Sequence, residues 1–162
     1  MGRVSAATGL TVASSCPPVS TLGDVFQVTR DVYARMIGLA LDAYPLECCG
    51  LAAGPLAGDG GPGDSGEKFY PCRNDAESAR VYTVNPQDFM RAEIDAEDLD
   101  WEINCVVHSH THSEPYPSPT DVRAAISPDW HYVIVSLKRD SPEVRSYRMV
   151  DGEIIPEDLV VV

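Results

Sequence analysis

The sequence predicts an α+β fold, in which one sheet packs with two long helices and a short helix follows a polar loop. Three observations carry this expectation. Two segments repeat apolar residues at helical spacing, short runs rich in β-branched and aromatic residues recur along the chain, and Pro, Gly and Asp-Gly punctuate the boundaries between them.

Residues 1 to 22 have no hydrophobic periodicity and contain Pro17-Pro18, so a disordered leader is expected there, with one folded domain over 23 to 162. Val25, Phe26 and Val28 suggest a strand. Thr29 can cap a helix that places Val32, Tyr33, Met36, Ile37, Ala40, Leu41 and Tyr44 on one face, and Pro45 ends it. Glu47 to Ala53 is read as a short buried strand, and the glycine-rich stretch Gly54 to Gly66 as loop.

Strands are expected at Lys68 to Arg73 and Val81 to Val84. Pro86 then opens a second long helix, running to about Leu99, with Phe89, Met90, Ile94 and Leu99 as its buried stripe. Ile103 to His110 is the most strand-like central segment, and Ser118 to Ile126 is a short helix with Pro119 in its first turn. The remaining strands are His131 to Leu137, Glu143 to Val150 and Glu153 to Ile155. Asp151-Gly152 joins the last two as a type I′ hairpin.

Composition bounds the function. At 162 residues, 44% hydrophobic and 23% charged, the chain can bury one core without disulfide staples. No apolar run is long enough to span a membrane. The net charge of -13 repels a phosphate backbone, which argues against nucleic acid as a partner. Cys16, Cys48, Cys49, Cys72 and Cys105 form neither a CxxC pair nor a disulfide framework, so reduced thiols and a cytoplasmic location are expected. Cys48, Cys49 and Cys105 fall in apolar strands, where buried inert thiols are the simplest expectation.

The chemistry concentrates between residues 108 and 121. Residues i and i+2 of a strand share a face, so His108 and His110 can place two imidazoles around one ion. Catalytic zinc takes three protein ligands and leaves the fourth position to water. Asp121, in the first turn of the helix that the loop enters, is the best third donor. Ser118 would project its hydroxyl toward the same place, where it could hydrogen-bond an oxyanion. Ser118-Pro119-Thr120-Asp121 is equally an ordinary helix cap, and a lone His-x-His pair is often structural; the joint spacing is what favours a metal site.

The run HSHTHSEPYPSPTD, from His108 to Asp121, resembles the JAMM motif of the MPN-type zinc metallopeptidases. That resemblance implies an MPN/JAB fold of cytidine-deaminase-like form with a central mixed sheet. It also implies one zinc per chain on His108, His110 and Asp121, and a general acid/base in Glu47, set within Pro45-Leu46-Glu47-Cys48-Cys49-Gly50. The segments ECCGLAAGP, TDVRAAISPDWHYVIVS and EVRSYRMVDGEI resemble the bacterial branch of CysO-cysteine peptidases, which processes ubiquitin-like sulfur-carrier proteins.

The implied reaction is hydrolysis of an amide after the carrier's C-terminal Gly-Gly, releasing cysteine in cysteine biosynthesis. Zinc and Glu47 would activate water, and zinc with Ser118 would hold the oxyanion. A deubiquitinase-like isopeptidase, a carrier-tail-processing peptidase and a non-catalytic MPN scaffold are the alternatives, and a homodimer stays open. The chain departs from the branch in its leader, in the glycine-rich insertion around Asp59 to Gly66, and in His112, read as an exposed loop residue.

Overall fold

A computed structural model describes residues 25–162, so the expected leader at 1–22 lies outside the described residues. The elements are β1 (Val25–Val28), α1 (Arg30–Ala43), β2 (Cys49–Pro55), β3 (Ser65–Gly66), β4 (Lys68–Cys72), α2 (Pro86–Glu97), β5 (Trp101–His110), α3 (Pro119–Ala124), β6 (His131–Ser136), β7 (Glu143–Val150) and β8 (Glu153–Val161). The strands form a mixed eight-stranded sheet ordered β3-β1-β8-β7-β6-β5-β2-β4. β5 runs antiparallel to β2 and parallel to β6, so it is held on both sides.

Each face of the sheet carries a helix. Thr29 caps α1 by accepting the Val32 amide at 3.2 Å, and Val32, Met36 and Ala40, spaced four apart, are buried against Phe26, Ala52, Cys105 and Val107. Leu41 and Tyr44, expected on that face, are exposed instead. Tyr33 and Ile37, expected on the same face, pack partly buried against this core, and Pro45 ends the helix before Tyr44 can reach it.

The second helix corrects the expected stripe more strongly. Asn85 caps α2 with Pro86 in its first turn, as the residues suggest, yet Met90, Ile94 and Leu99 are exposed. Ala92 and Ala96 are the buried residues, packed with Leu51, Ile103 and Val106. Small side chains let the helix approach the sheet closely, which leaves Met90, Ile94 and Leu99 outside, while Phe89 of the expected stripe packs partly buried against the same core.

Three further differences concern the connections. Val81–Val84 forms no strand beyond a single bridge between Asn74 and Val84. The 54–66 stretch is not wholly loop: β3 pairs in parallel with β1, and a Cβ on Gly54 would collide with the Ser65 carbonyl oxygen, so only glycine admits this crossing. Asn104 anchors the same crossing by donating to the carbonyls of Gly63 and Ser65, both at 2.7 Å. β8 continues well past Ile155, pairing first with β7 and then in parallel with β1. The Asp151-Gly152 turn has positive φ at both residues, 51° and 81°, as a type I′ turn requires.

A bulge in β5 orients the site. The register steps from Ala52 opposite Cys105 to Ala53 opposite Ile103, which leaves Asn104 as the extra residue. Beyond it Val106, His108 and His110 share the face that carries α2. Among the described residues no helix is long and apolar enough to cross a membrane.

Candidate active site

Strand β5 delivers His108 and His110 from its C-terminal end, both almost fully buried. Their Nε2 atoms lie 3.2 Å apart. The loop 111–118 then returns the chain so that α3 begins beside them, held by Ser136 Oγ donating to the Ser113 carbonyl and by the Tyr147 hydroxyl donating to that of Pro115. Asp121 places Oδ1 3.5 Å from His108 Nε2 and Oδ2 3.5 Å from His110 Nε2.

These separations suit a small divalent cation. Ligand atoms about 2.0–2.1 Å from a tetrahedral zinc are roughly 3.3 Å from one another; the two imidazole nitrogens match that value, and each lies 3.5 Å from one Asp121 oxygen. His110 Nδ1 sits 2.8 Å from the Glu114 carbonyl, which places the proton on Nδ1 and leaves Nε2 as a lone-pair donor. Two imidazole nitrogens facing one another with a carboxylate between them form an acceptor-rich cluster, and a cation is the natural complement. Tyr82 stacks on the His108 ring at 4.4 Å and walls the centre.

The helix cap and the metal-site geometry coexist. Ser118 Oγ accepts the Asp121 amide at 3.2 Å, and Asp121 Oδ2 accepts the Ser118 amide at 2.6 Å, a complete capping box. The cap fixes the rotamer that aims Asp121 at the imidazoles. It also leaves the Ser118 O–H free to donate.

Glu47 is buried beside this cluster. Cys49 pairs with His108, so continuing the antiparallel register sets Glu47 opposite His110. Its backbone is held by an amide hydrogen bond to the Ser78 carbonyl, 2.9 Å, and by Asn74 Nδ2 donating to its carbonyl, 2.9 Å. Burial is the main cause that pushes its carboxyl up to about 7; Asp121 adds to this, and His110 opposes it. Burial also lowers His108. At His110 burial acts the same way, but Asp121 and the Glu114 carbonyl more than offset it, and the ring is raised. Burial would raise Asp121, yet the bonds to His108 and His110 hold it well below the usual carboxylate range.

The structure therefore brings together all five residues expected from the sequence, with Ser118 partly buried at the rim. Cys48, Cys49 and Cys105 are buried with thiols raised by burial, as expected of core residues. Sequence reasoning missed Tyr82, Ser78 and Asn74, because the segment carrying Tyr82 has strand composition and the polar residues before it carry no motif.

Comparison with known proteins agrees with this geometry. Residues 29–150 match the family described as prokaryotic homologs of the JAB domain. The chain belongs to this prokaryotic JAB-domain family. Across 139 residues it is 36% identical to the CysO-cysteine peptidase of Mycobacterium tuberculosis, covering 85% of this chain and 92% of that protein. This JAB-domain chain is accordingly a peptidase. Its fold is shared with a Desulfitobacterium hafniense protein solved in solution, at TM-score 0.72 and 27% identity over 85% of this chain and 92% of that one. It is shared also with a JAB1/MPN domain protein from Archaeoglobus fulgidus, at TM-score 0.52 and 16% identity over 85% of this chain and 100% of the other. The JAMM resemblance and the expected MPN/JAB fold are thus borne out.

Proposed function

We propose that this JAB-domain peptidase is zinc-dependent and hydrolyses the amide bond after the C-terminal Gly-Gly of a ubiquitin-like sulfur-carrier protein, releasing cysteine. The observation that carries the reading is the convergence of His108, His110 and Asp121 beside a buried Glu47, in a chain 36% identical to a CysO-cysteine peptidase. His108 and His110 through Nε2, with the Asp121 carboxylate, would hold one zinc per chain.

Bound there, zinc supplies Lewis acidity, which acidifies water and polarises a carbonyl. The protein's own groups supply the rest. Glu47, balanced near neutrality, accepts a proton from the attacking water and returns it to the leaving amine. Ser118 donates its hydroxyl hydrogen toward the carbonyl oxygen as charge builds on it. Burial raises the thiols of Cys48 and Cys49, so neither offers a thiolate nucleophile, and hydrolysis proceeds without a covalent acyl-enzyme.

The test is incubation with a carrier protein bearing a C-terminal cysteine adduct in the presence of zinc. Stoichiometric release of cysteine and a carrier ending in Gly-Gly is expected. No release rejects the reading, and cleavage only of isopeptide-linked or tail-extended carriers would favour the alternative leaving groups.

A further inference from the structure

Most positive charges in this acidic chain are already paired. Among the described residues every lysine and arginine lies within salt-bridge distance of a carboxylate except Arg30, Arg80 and Arg123. Arg30 opens α1 on the opposite face of the sheet from the site, and Arg123 donates to Thr120 on α3. Arg80 is different, because its segment is tied to the catalytic cluster at several points.

The Ser78 carbonyl accepts the Glu47 amide, the Ala79 carbonyl accepts the Thr111 hydroxyl at 3.1 Å, and Tyr82 stacks on His108. Residues 78–82 thus run along the site from Glu47 to His108. Thr111 directly follows His110, so its bond to Ala79 ties the backbone just before Arg80 to the backbone just before His112. Both are exposed. His112 is also held edge-on to Tyr44 at 6.0 Å, three residues before Glu47.

The leaving amine must lie within reach of Glu47, since Glu47 returns its proton. A substrate portion that leaves that amine along the 78–82 segment would pass Arg80 and His112. The net charge of -13 disfavours an anion arriving at the surface unless a local cation receives it. Arginine, with a planar fork of donors, fits a carboxylate in bidentate fashion.

Resting on the peptidase reading above, we infer that Arg80, assisted by an imidazole N–H of His112, forms a leaving-group subsite for the free α-carboxylate of a single C-terminal amino acid. The subsite makes the enzyme select an amino-acid adduct over a carrier joined to a longer chain. Arg80 and His112 determine specificity and take no part in the proton transfers.

The experiment compares kcat/KM for two carrier adducts, one ending in cysteine with a free carboxylate and one ending in cysteinamide. Zinc-loaded wild type, Arg80→Gln, His112→Gln and the remote charge control Arg30→Gln are each assayed. Wild type is expected to prefer the acid by about tenfold or more, the scale of a charge-assisted hydrogen bond. Arg80→Gln loses most of that preference by slowing only the acid, His112→Gln loses part of it, and Arg30→Gln keeps it. Equal wild-type rates on the two adducts, or an Arg80→Gln enzyme slowed equally on both, overturns the subsite while leaving the peptidase reading intact. Cleavage of neither adduct by wild type overturns both.

Discussion

Cys48 and Ser109 are joined by two reciprocal hydrogen bonds: the Cys48 amide donates to Ser109 Oγ at 2.8 Å, and the Ser109 amide donates to the Cys48 carbonyl at 3.2 Å. Ser109 lies between His108 and His110, and Cys48 follows Glu47. This pair therefore couples the Glu47 backbone to the strand end that carries the two imidazoles.

Ser109→Ala removes the acceptor and leaves the Cys48 amide buried without a partner. A loss of about 1–3 kcal/mol in unfolding free energy is expected. Because Glu47 loses its alignment while the substrate's remote contacts persist, kcat should fall with little change in KM. Denaturant unfolding and steady-state kinetics check both; a variant with wild-type kcat would show that this coupling does not position Glu47.

Glu47 itself should weaken the metal-free protein. Its carboxyl is raised by burial to about 7 in the folded state, against an ordinary value near 4.5. Below that ordinary value both states are protonated and nothing is lost. Between about 4.5 and 7 the unfolded chain releases a proton that the folded one keeps, so stability declines as pH rises, reaching its full penalty above 7. Glu47→Gln is predicted to stabilise the metal-free protein at pH 8 by on the order of 2 kcal/mol, and not at pH 4. Thermal melts in chelator at the two pH values measure this, and an equal effect at both would contradict it.

The opposite sign applies at Glu157. Its carboxylate is fully buried, 2.8 Å from His131 Nδ1, and receives the Ser146 hydroxyl at 2.6 Å and Arg148 Nε at 3.3 Å. Burial would raise it, but these partners more than reverse that, and the group is lowered. Its contribution is therefore present above the unfolded carboxylate value and lost as pH falls through the folded one. Glu157→Gln should cost roughly 2–4 kcal/mol at pH 7 and much less at pH 3, read by urea titration.

The buried thiols give a simpler expectation. Cys48, Cys49, Cys72 and Cys105 should resist an alkylating reagent at pH 8 in the native protein and react on unfolding, because burial raises each of them. Mass spectrometry after brief labelling reads the sites. Rapid native labelling of Cys48 or Cys49 would reopen the possibility of a thiol nucleophile.

How much of the site is legible in the residues depends on where the information lies. His108, His110, Ser118 and Asp121 occupy one strand end, one loop and one helix cap, so their spacing encodes the site. Glu47 reaches it only through the pairing of β2 with β5, a long-range register that no local pattern carries, and its role came from the family resemblance. Helical periodicity gave the position of α2 correctly but not its buried face, since Ala92 and Ala96 won the contact by being small while Met90 and Ile94 stayed outside. Tyr82 belongs to a segment with strand composition that lacks a partner strand, and only the tertiary structure turns it toward His108.

The most direct test of the zinc-peptidase mechanism is zinc content measured alongside turnover of the cysteine adduct, in wild type, Glu47→Gln and His108→Ala. Wild type should hold one zinc per chain and release cysteine. Glu47→Gln should hold the same zinc while its turnover falls about a hundred- to ten-thousand-fold, and His108→Ala should lose metal and activity together. Folded wild-type protein that retains no stoichiometric zinc, or a Glu47→Gln enzyme that turns over as fast as wild type, would contradict it.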